Sequence, residues 1–193
     1  MKKFSPKEIL VPTIILLIIC VVSAALLGGT NMLTKDKIAS IEAEVKAAAM
    51  QTVMPDAVSF SDSVTATETL EYSEAFDADG NISGYAFTVT ENGYGGKIKM
   101  MVGINPDGTV SKVAVLSADN ETPGLGQNIK KDSFLDQFIN KTGSLTVTKN
   151  VAASDTEIQA ITSATISSSA VTRAVNSALA YFAENFNGGD MNG

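Results

Sequence analysis

The sequence predicts an α+β protein: one membrane-length apolar helix at the N-terminus, followed by an antiparallel sheet with flanking helices. Three observations carry this. Residues 9–28 form an uncharged, mostly apolar run of about twenty residues, the length that crosses a bilayer as a helix. Short polar segments that contain glycine, at 77–80, 91–96 and 105–108, separate runs of β-forming residues. Returns this tight join antiparallel rather than parallel strands, which argues against a parallel nucleotide-binding sheet. After Thr165, apolar residues recur at Ile166, Ala170, Val171, Ala174, Val175, Ala178, Leu179 and Phe182, a single stripe on a helix of 3.6-residue period.

Taken in order, residues 1–8 carry Lys2, Lys3 and Lys7 ahead of the apolar run. The positive-inside rule puts these lysines in the cytoplasm and the rest of the chain outside. A cleaved signal peptide has a shorter apolar core of about 7–15 residues. Here Leu26 and Leu27 directly follow Ser23-Ala24-Ala25, so a retained single-pass anchor at 9–28 is expected. Pro12 falls near its start, where proline is tolerated. The small residues Ser23, Ala24, Ala25, Gly28 and Gly29 permit close packing against partner helices. Residues 29–56 read as helical, with Ile38, Ile41, Val45, Ala48 and Ala49 on one face and Pro55 ending the run. This segment is either a stalk that carries the anchor outward or a first helix packed on the sheet.

The domain proper spans 57–186. Strands are expected at 65–76, weakly, and at 82–90, 98–104 and 110–116, where β-formers dominate. A short helix at 132–140 turns Phe134, Leu135 and Phe138 inward, a further strand is expected at 144–151, and the last helix at 167–184. Residues 187–193 are polar and glycine-rich, a flexible tail.

Composition narrows the chemistry. The 193-residue chain has net charge −7, and beyond residue 30 it holds 11 Lys and Arg against 20 Asp and Glu. Such an acidic surface repels phosphate backbones, so no nucleic-acid partner is expected. There is no histidine, which removes His-based triads and most zinc sites. The single Cys20 lies in the apolar run, leaving neither a disulfide framework nor a thiolate cluster. Redox chemistry, if present, must come from an organic cofactor. No metal site and no catalytic residue of the chain itself is expected.

Two segments stand apart. Residues 159–169, Gln-Ala-Ile-Thr-Ser-Ala-Thr-Ile-Ser-Ser-Ser, are small and hydroxyl-rich and end where the last helix begins. Free N–H groups and the positive end of the dipole collect there, making an anion site. The competing reading is that Thr165 or Ser167 simply caps the helix. The second segment is the loop Glu121-Thr122-Pro123-Gly124-Leu125-Gly126-Gln127. Alone, its Pro-Gly pair reads as a turn.

Together the two segments resemble the FMN-binding domain of the G subunit of the Rnf electron-transport complex, a domain shared with the C subunit of the sodium-pumping NADH:quinone oxidoreductase. The resemblance covers roughly residues 85–180 and the position of the anchor. It implies that Thr162-Ser163-Ala164-Thr165 matches the family's Ser/Thr-Gly-Ala-Thr motif and that Thr165 carries FMN covalently through a phosphoester. A separate flavin transferase would attach it, with FAD as donor, so Thr165 is a modification site rather than a catalyst. The resulting diester anion would sit at the helix N-terminus, next to Ile166, with Ser163 and Ala164 leaving room for it.

In the loop, Gly124 and Gly126 would let backbone approach a planar ring, Pro123 would stiffen the turn, and Leu125 would offer an apolar face. Glu121, Thr122 and Gln127 would hydrogen-bond the cofactor's polar edges. Tyr94 and Gly95, in the glycine-rich turn, would either touch the flavin or only turn the chain. The implied role is an electron-transfer subunit of an ion-translocating ferredoxin:NAD+ oxidoreductase, partnered by the complex's other membrane subunits. Three positions depart from the family pattern: Ser163 replaces its usual glycine, Gln159 an aspartate, and Asp119 or Asn120 a histidine. Two rival readings stay open: an anchored FMN domain serving an extracellular flavin reductase, and an anchored binding domain without redox chemistry.

Overall fold

The computed structural model describes residues 6–152 and 154–186. Lys2, Lys3 and the 187–193 tail lie outside the described residues. The chain divides between Val45 and Lys46 into two compact units.

The described residues of the first unit are all helical. They belong to α1, Pro6–Val53, which is long and apolar enough to cross a membrane. Proline favours the first position of a helix, where its missing N–H costs nothing. Pro12 lies inside the helix, beyond its first turn rather than within it. Side chains from Leu10 to Leu27 are exposed, as are Ile38, Ile41 and Val45.

The second unit is built on a six-stranded antiparallel sheet. Its strands are β1 (Ser59–Phe60), β2 (Val64–Thr65), β3 (Leu70–Phe76), β4 (Ile82–Asn92), β5 (Lys97–Ile104) and β6 (Val110–Ser117). The order is β1-β3-β4-β5-β6, and β2 also pairs with β3. The helix α3, Thr165–Asn185, packs across one face. The two-residue alternation of β-strands decides which side chains meet it. Tyr85, Phe87 and Val89 of β4 join Ile98, Met100, Val102 and Ile104 of β5 against Val171, Val175, Leu179 and Phe182. At the C-terminal end of α3, Phe186 stacks on Tyr85 with centroids 4.2 Å apart.

The opposite face carries small residues because a helix end lies on it. Ala75, Ala86 and Met101 pack with Ala49, Val53 and Met54 at the end of α1. A Cβ at Gly103 would collide with the Val53 carbonyl oxygen, and one at Gly84 with the Met54 methyl. Lys46 adds an ion pair to Glu71 at 2.9 Å. Of the apolar face read from 38 to 49, Ala49 is buried here, and Ile38, Ile41 and Val45 are exposed.

Several expectations need correction. The 65–76 strand is two strands, because Ala66 and Thr67 both donate to the Leu70 carbonyl in a tight turn. The two-residue β1 is too short to leave a pattern in sequence. The 144–151 strand shrinks to β7, Thr146–Thr148, and it pairs in parallel with an unexpected β8, Glu157–Gln159. The 132–140 helix is α2, Asp132–Leu135, followed by a 3-10 turn at Asp136–Phe138; Phe134, Leu135 and Phe138 are buried as expected. Another 3-10 turn, Gly126–Lys130, closes the 121–127 loop. The last helix starts two residues earlier than expected, at Thr165.

Candidate functional site

Three segments meet at one end of the sheet. The β4–β5 turn arrives there because Asn92 pairs with Lys97. The 121–127 loop follows the end of β6, whose Ser117 pairs with Lys99. The third segment is the first turn of α3. Between them lies a cleft of about 440 Å³, lined by Tyr94, Glu121, Thr122, Leu125, Gly126 and the run from Ser163 to Ser167. Three of its apolar side chains face solvent: Tyr94 is 70% exposed, Ile166 53% and Leu125 43%. Exposed apolar groups around a concave site are the usual mark of a ligand surface.

The loop is shaped by its Pro-Gly pair. Leu125 N–H donates to the Thr122 carbonyl at 3.1 Å, and Gly124 has φ +76°, the arrangement of a type II turn with proline second and glycine third. Gly124 is therefore needed for its backbone angle, since nothing lies within 4 Å of a Cβ built there. Gly126 is needed for space: a Cβ would run into the Glu121 carboxylate. The loop is braced from outside by Asn128, whose amide donates to the Gly124 carbonyl at 2.6 Å.

Glu121 is 2% exposed. One carboxylate oxygen accepts the Gly95 N–H at 2.9 Å, and the other accepts the Ser167 hydroxyl at 2.6 Å. Just upstream, Asp119 accepts from Ser117 Oγ at 3.0 Å and from Lys130 Nζ at 3.4 Å. Those two contacts, the hydroxyl first, hold the Asp119 carboxyl below the usual range.

The N-terminus of α3 is open. Its cap residue is Ala164, and no side chain caps it. Neither Thr165 nor Ser167 is the N-cap: Thr165 is the first helical residue, and Ser167 is turned to Glu121. The first backbone bond of the helix is from Ser168 N–H to the Ala164 carbonyl at 2.9 Å. The turn before the helix is fixed by Ser168 Oγ, which accepts the Ile161 N–H at 3.0 Å and donates to the Ala164 carbonyl at 2.9 Å. Ser163 has φ +64°, in the left-handed region that favours glycine. The resemblance read from the sequence implies a glycine at this position, and the backbone angle is one that glycine adopts without strain.

The structure thus brings Tyr94, Glu121, Thr122, Leu125, Gly126, Ser163, Ala164, Thr165 and Ile166 to one cleft. Pro123, Gly124, Gln127, Thr162 and Gly95 are outside its lining. Gly95 backs onto the chain, where a Cβ would collide with the Asn120 carbonyl oxygen. Ser167 was not among the sequence-derived candidates. Its only signal was its place two residues after Thr165, in a first turn rich in serine.

The chain is similar to several known proteins. Residues 93–180 match the FMN-binding domain family, and residues 1–53 match the RnfG N-terminal region. The G subunit of the proton-translocating ferredoxin:NAD(+) oxidoreductase complex of Clostridium ljungdahlii is 34% identical over 165 residues, covering 85% of this chain and 86% of the relative. The G subunit of the Na(+)-translocating ferredoxin:NAD(+) oxidoreductase complex of Acetobacterium woodii is 32% identical, covering 84% and 86%. Among solved structures, the C subunit of the Na(+)-translocating NADH-quinone reductase of Parabacteroides distasonis superposes with a TM-score of 0.53 at 23% identity, covering 62% of this chain and 65% of that one. That likeness is one of fold. An apolar N-terminal helix, an antiparallel domain of this fold and matches along most of the chain lead to one conclusion: the chain belongs to the RnfG family, the G subunits of ion-translocating oxidoreductase complexes.

Proposed function

We propose that this chain is a membrane-anchored flavoprotein subunit that relays electrons within an ion-translocating ferredoxin:NAD+ oxidoreductase complex, with FMN attached to Thr165 through a phosphoester. The observation that carries the reading is the position of Thr165. It is the first residue of a 21-residue helix, at the wall of the cleft, with no side chain capping the N–H groups around it. A phosphodiester on Thr165 Oγ places a single negative charge where those N–H groups and the helix dipole favour it.

The residues present fit the group. Tyr94, Leu125 and Ile166 supply exposed apolar area for a flat ring, and the cleft's size falls within the range of about 300–1,000 Å³ typical of cofactor sites. Thr122 and the backbone of 163–167 supply polar contacts at the wall. FMN, when bound, supplies the capacity to accept and pass on electrons, chemistry that no side chain of this chain provides. The protein's share is to hold and orient the cofactor and to keep it from dissociating. Attachment would form a bond from Thr165 Oγ to the phosphorus of FAD's flavin half and break the pyrophosphate linkage, with AMP leaving and taking up the hydroxyl proton. The donor and a dedicated transferase are supplied from outside the chain.

On this reading residues 9–28 span the membrane and the helix beyond them is a stalk as far as Val45. From Lys46, whose neighbours Ala49, Val53 and Met54 pack on the sheet, to residue 186 the chain forms the FMN domain on the extracytoplasmic side, with residues 1–8 in the cytoplasm. The partners are the other membrane subunits of the complex. The kinship to complex subunits favours this over a free-standing extracellular reductase domain.

The test is intact-mass analysis of the full chain produced with its native membrane partners and maturation machinery. The expected increment is FMN less one water, mapped to the peptide containing Thr165, with flavin fluorescence on a denaturing gel. Thr165→Ala is expected to abolish both. An unmodified wild-type chain, or a T165A chain that still fluoresces, overturns the covalent assignment.

A further inference from the structure

We infer that Glu121 is a positioning residue: its carboxylate assembles the cleft by tying the β4–β5 turn to the first turn of α3, rather than by touching the cofactor. The inference deepens the FMN reading and rests on it for its consequence, but not for its geometry.

The carboxylate is the only buried acidic side chain among the described residues. It forms no ion pair there; its two partners are a backbone N–H and a hydroxyl. These partners lie 26 residues before it and 46 residues after it in sequence. One side chain therefore fixes three loops that share no backbone hydrogen-bond ladder.

The space around it is cut to fit. A Cβ at Gly93 would collide with one carboxylate oxygen, and a Cβ at Gly126 with the other. Ser167 Oγ would also lie 3.0 Å from a Cβ at Gly126, a tight contact. A buried carboxylate without a cation is costly unless its hydrogen bonds are satisfied. The burial is tolerated because both oxygens are bonded and because Ser167 sits in the first turn of α3, at the positive end of the helix. Thr165 is two residues from Ser167, and Tyr94 is next to Gly95. Losing the tie frees both walls of the cleft together.

The experiment compares E121A, E121Q and S167A in the full chain in detergent, with two measurements. The first is amide exchange of peptides covering 93–97 and 162–168, made on a T165A background so that no flavin contributes. Alanine removes both bonds. Glutamine is of the same shape and keeps an acceptor for Gly95 and a donor toward Ser167. S167A removes one bond and leaves the core untouched. Exchange in both peptides is expected to rise by at least about tenfold in E121A, to rise in the 162–168 peptide alone in S167A, and to return toward the parent value in E121Q.

The second measurement is the flavinylated fraction of chains with Thr165 intact, made with their maturation partners. It is expected to fall several-fold in E121A and to be rescued by E121Q. Parent-like exchange and flavinylation in E121A overturn the proposal, and so does an E121Q chain as impaired as E121A. If E121A fails to fold, S167A and E121Q decide alone. A wild-type chain that takes no flavin defeats the Thr165 assignment, while the exchange measurement still judges Glu121.

Discussion

Replacing Ser163 with glycine is expected to stabilise the domain. At φ +64° the serine Cβ crowds its own backbone, and a left-handed L-residue costs about 1–2 kcal/mol. Glycine removes that strain but gives the unfolded chain more freedom, which offsets about 0.4–1 kcal/mol. The net gain is about 0.5–1 kcal/mol, or a rise of about 1–4 °C in Tm for a chain of this size. The assay is thermal unfolding of the unflavinylated full chain in detergent, followed by near-UV circular dichroism, because the three tyrosines Tyr72, Tyr85 and Tyr181 report the core between the sheet and α3. Asn140 provides the control. It also has positive φ, at 61°, but asparagine tolerates that region, so N140G is expected to change little or to destabilise slightly. A β-branched S163V is expected to lower Tm. The reasoning fails if S163G leaves Tm unchanged or lowers it, or if N140G raises it by as much.

Three further outcomes are expected. Gly103→Val would push a side chain into the Val53 carbonyl and the Met54 sulfur, costing about 1–3 kcal/mol and raising amide exchange over residues 46–54; unchanged exchange there would show that the end of α1 does not need the small-residue floor. Asp107 is held below the usual carboxylate range by the Thr109 hydroxyl and then by the Thr109 N–H. Its contribution to stability is therefore present above the ordinary carboxylate pKa and is lost as pH falls through the lowered one. D107A is accordingly expected to be less stable than wild type at neutral pH and equal to it in strong acid; a gap that persists in acid would refute this. Finally, E121Q removes a negative charge from the cleft wall while keeping its shape, so the midpoint potential of the attached flavin is expected to rise, since the reduced flavin carries more negative charge. A redox titration that gives the wild-type value would show the charge to be silent.

What the sequence determined by itself was whatever depends on period, length and local chemistry. An uncharged run of membrane length, the turns 77–80 and 105–108, and the apolar stripe of α3 each follow from neighbours within one element and are present in the structure. The turn read at 91–96 is there too, shortened to 93–96 because Glu91 and Asn92 extend β4. The two motif segments were also legible, because each is a short contiguous string whose residue types can be read without knowing the fold.

Only the tertiary structure decided how distant segments close on each other. The role of Glu121 depends on Gly95 and Ser167, and no local pattern links the three. The small residues at Gly84, Ala86 and Gly103 find their reason only in the end of α1, which lies on them. β8 became a strand because β7 lay beside it, not because three residues prefer extension. Serine as a residue type does not announce the left-handed backbone at Ser163; the only hint was the glycine that the resemblance sets at this position, and the φ angle itself is imposed by where the chain must go next. Local propensities are a few tenths of a kcal/mol per residue, and contacts between remote segments override them wherever the two disagree.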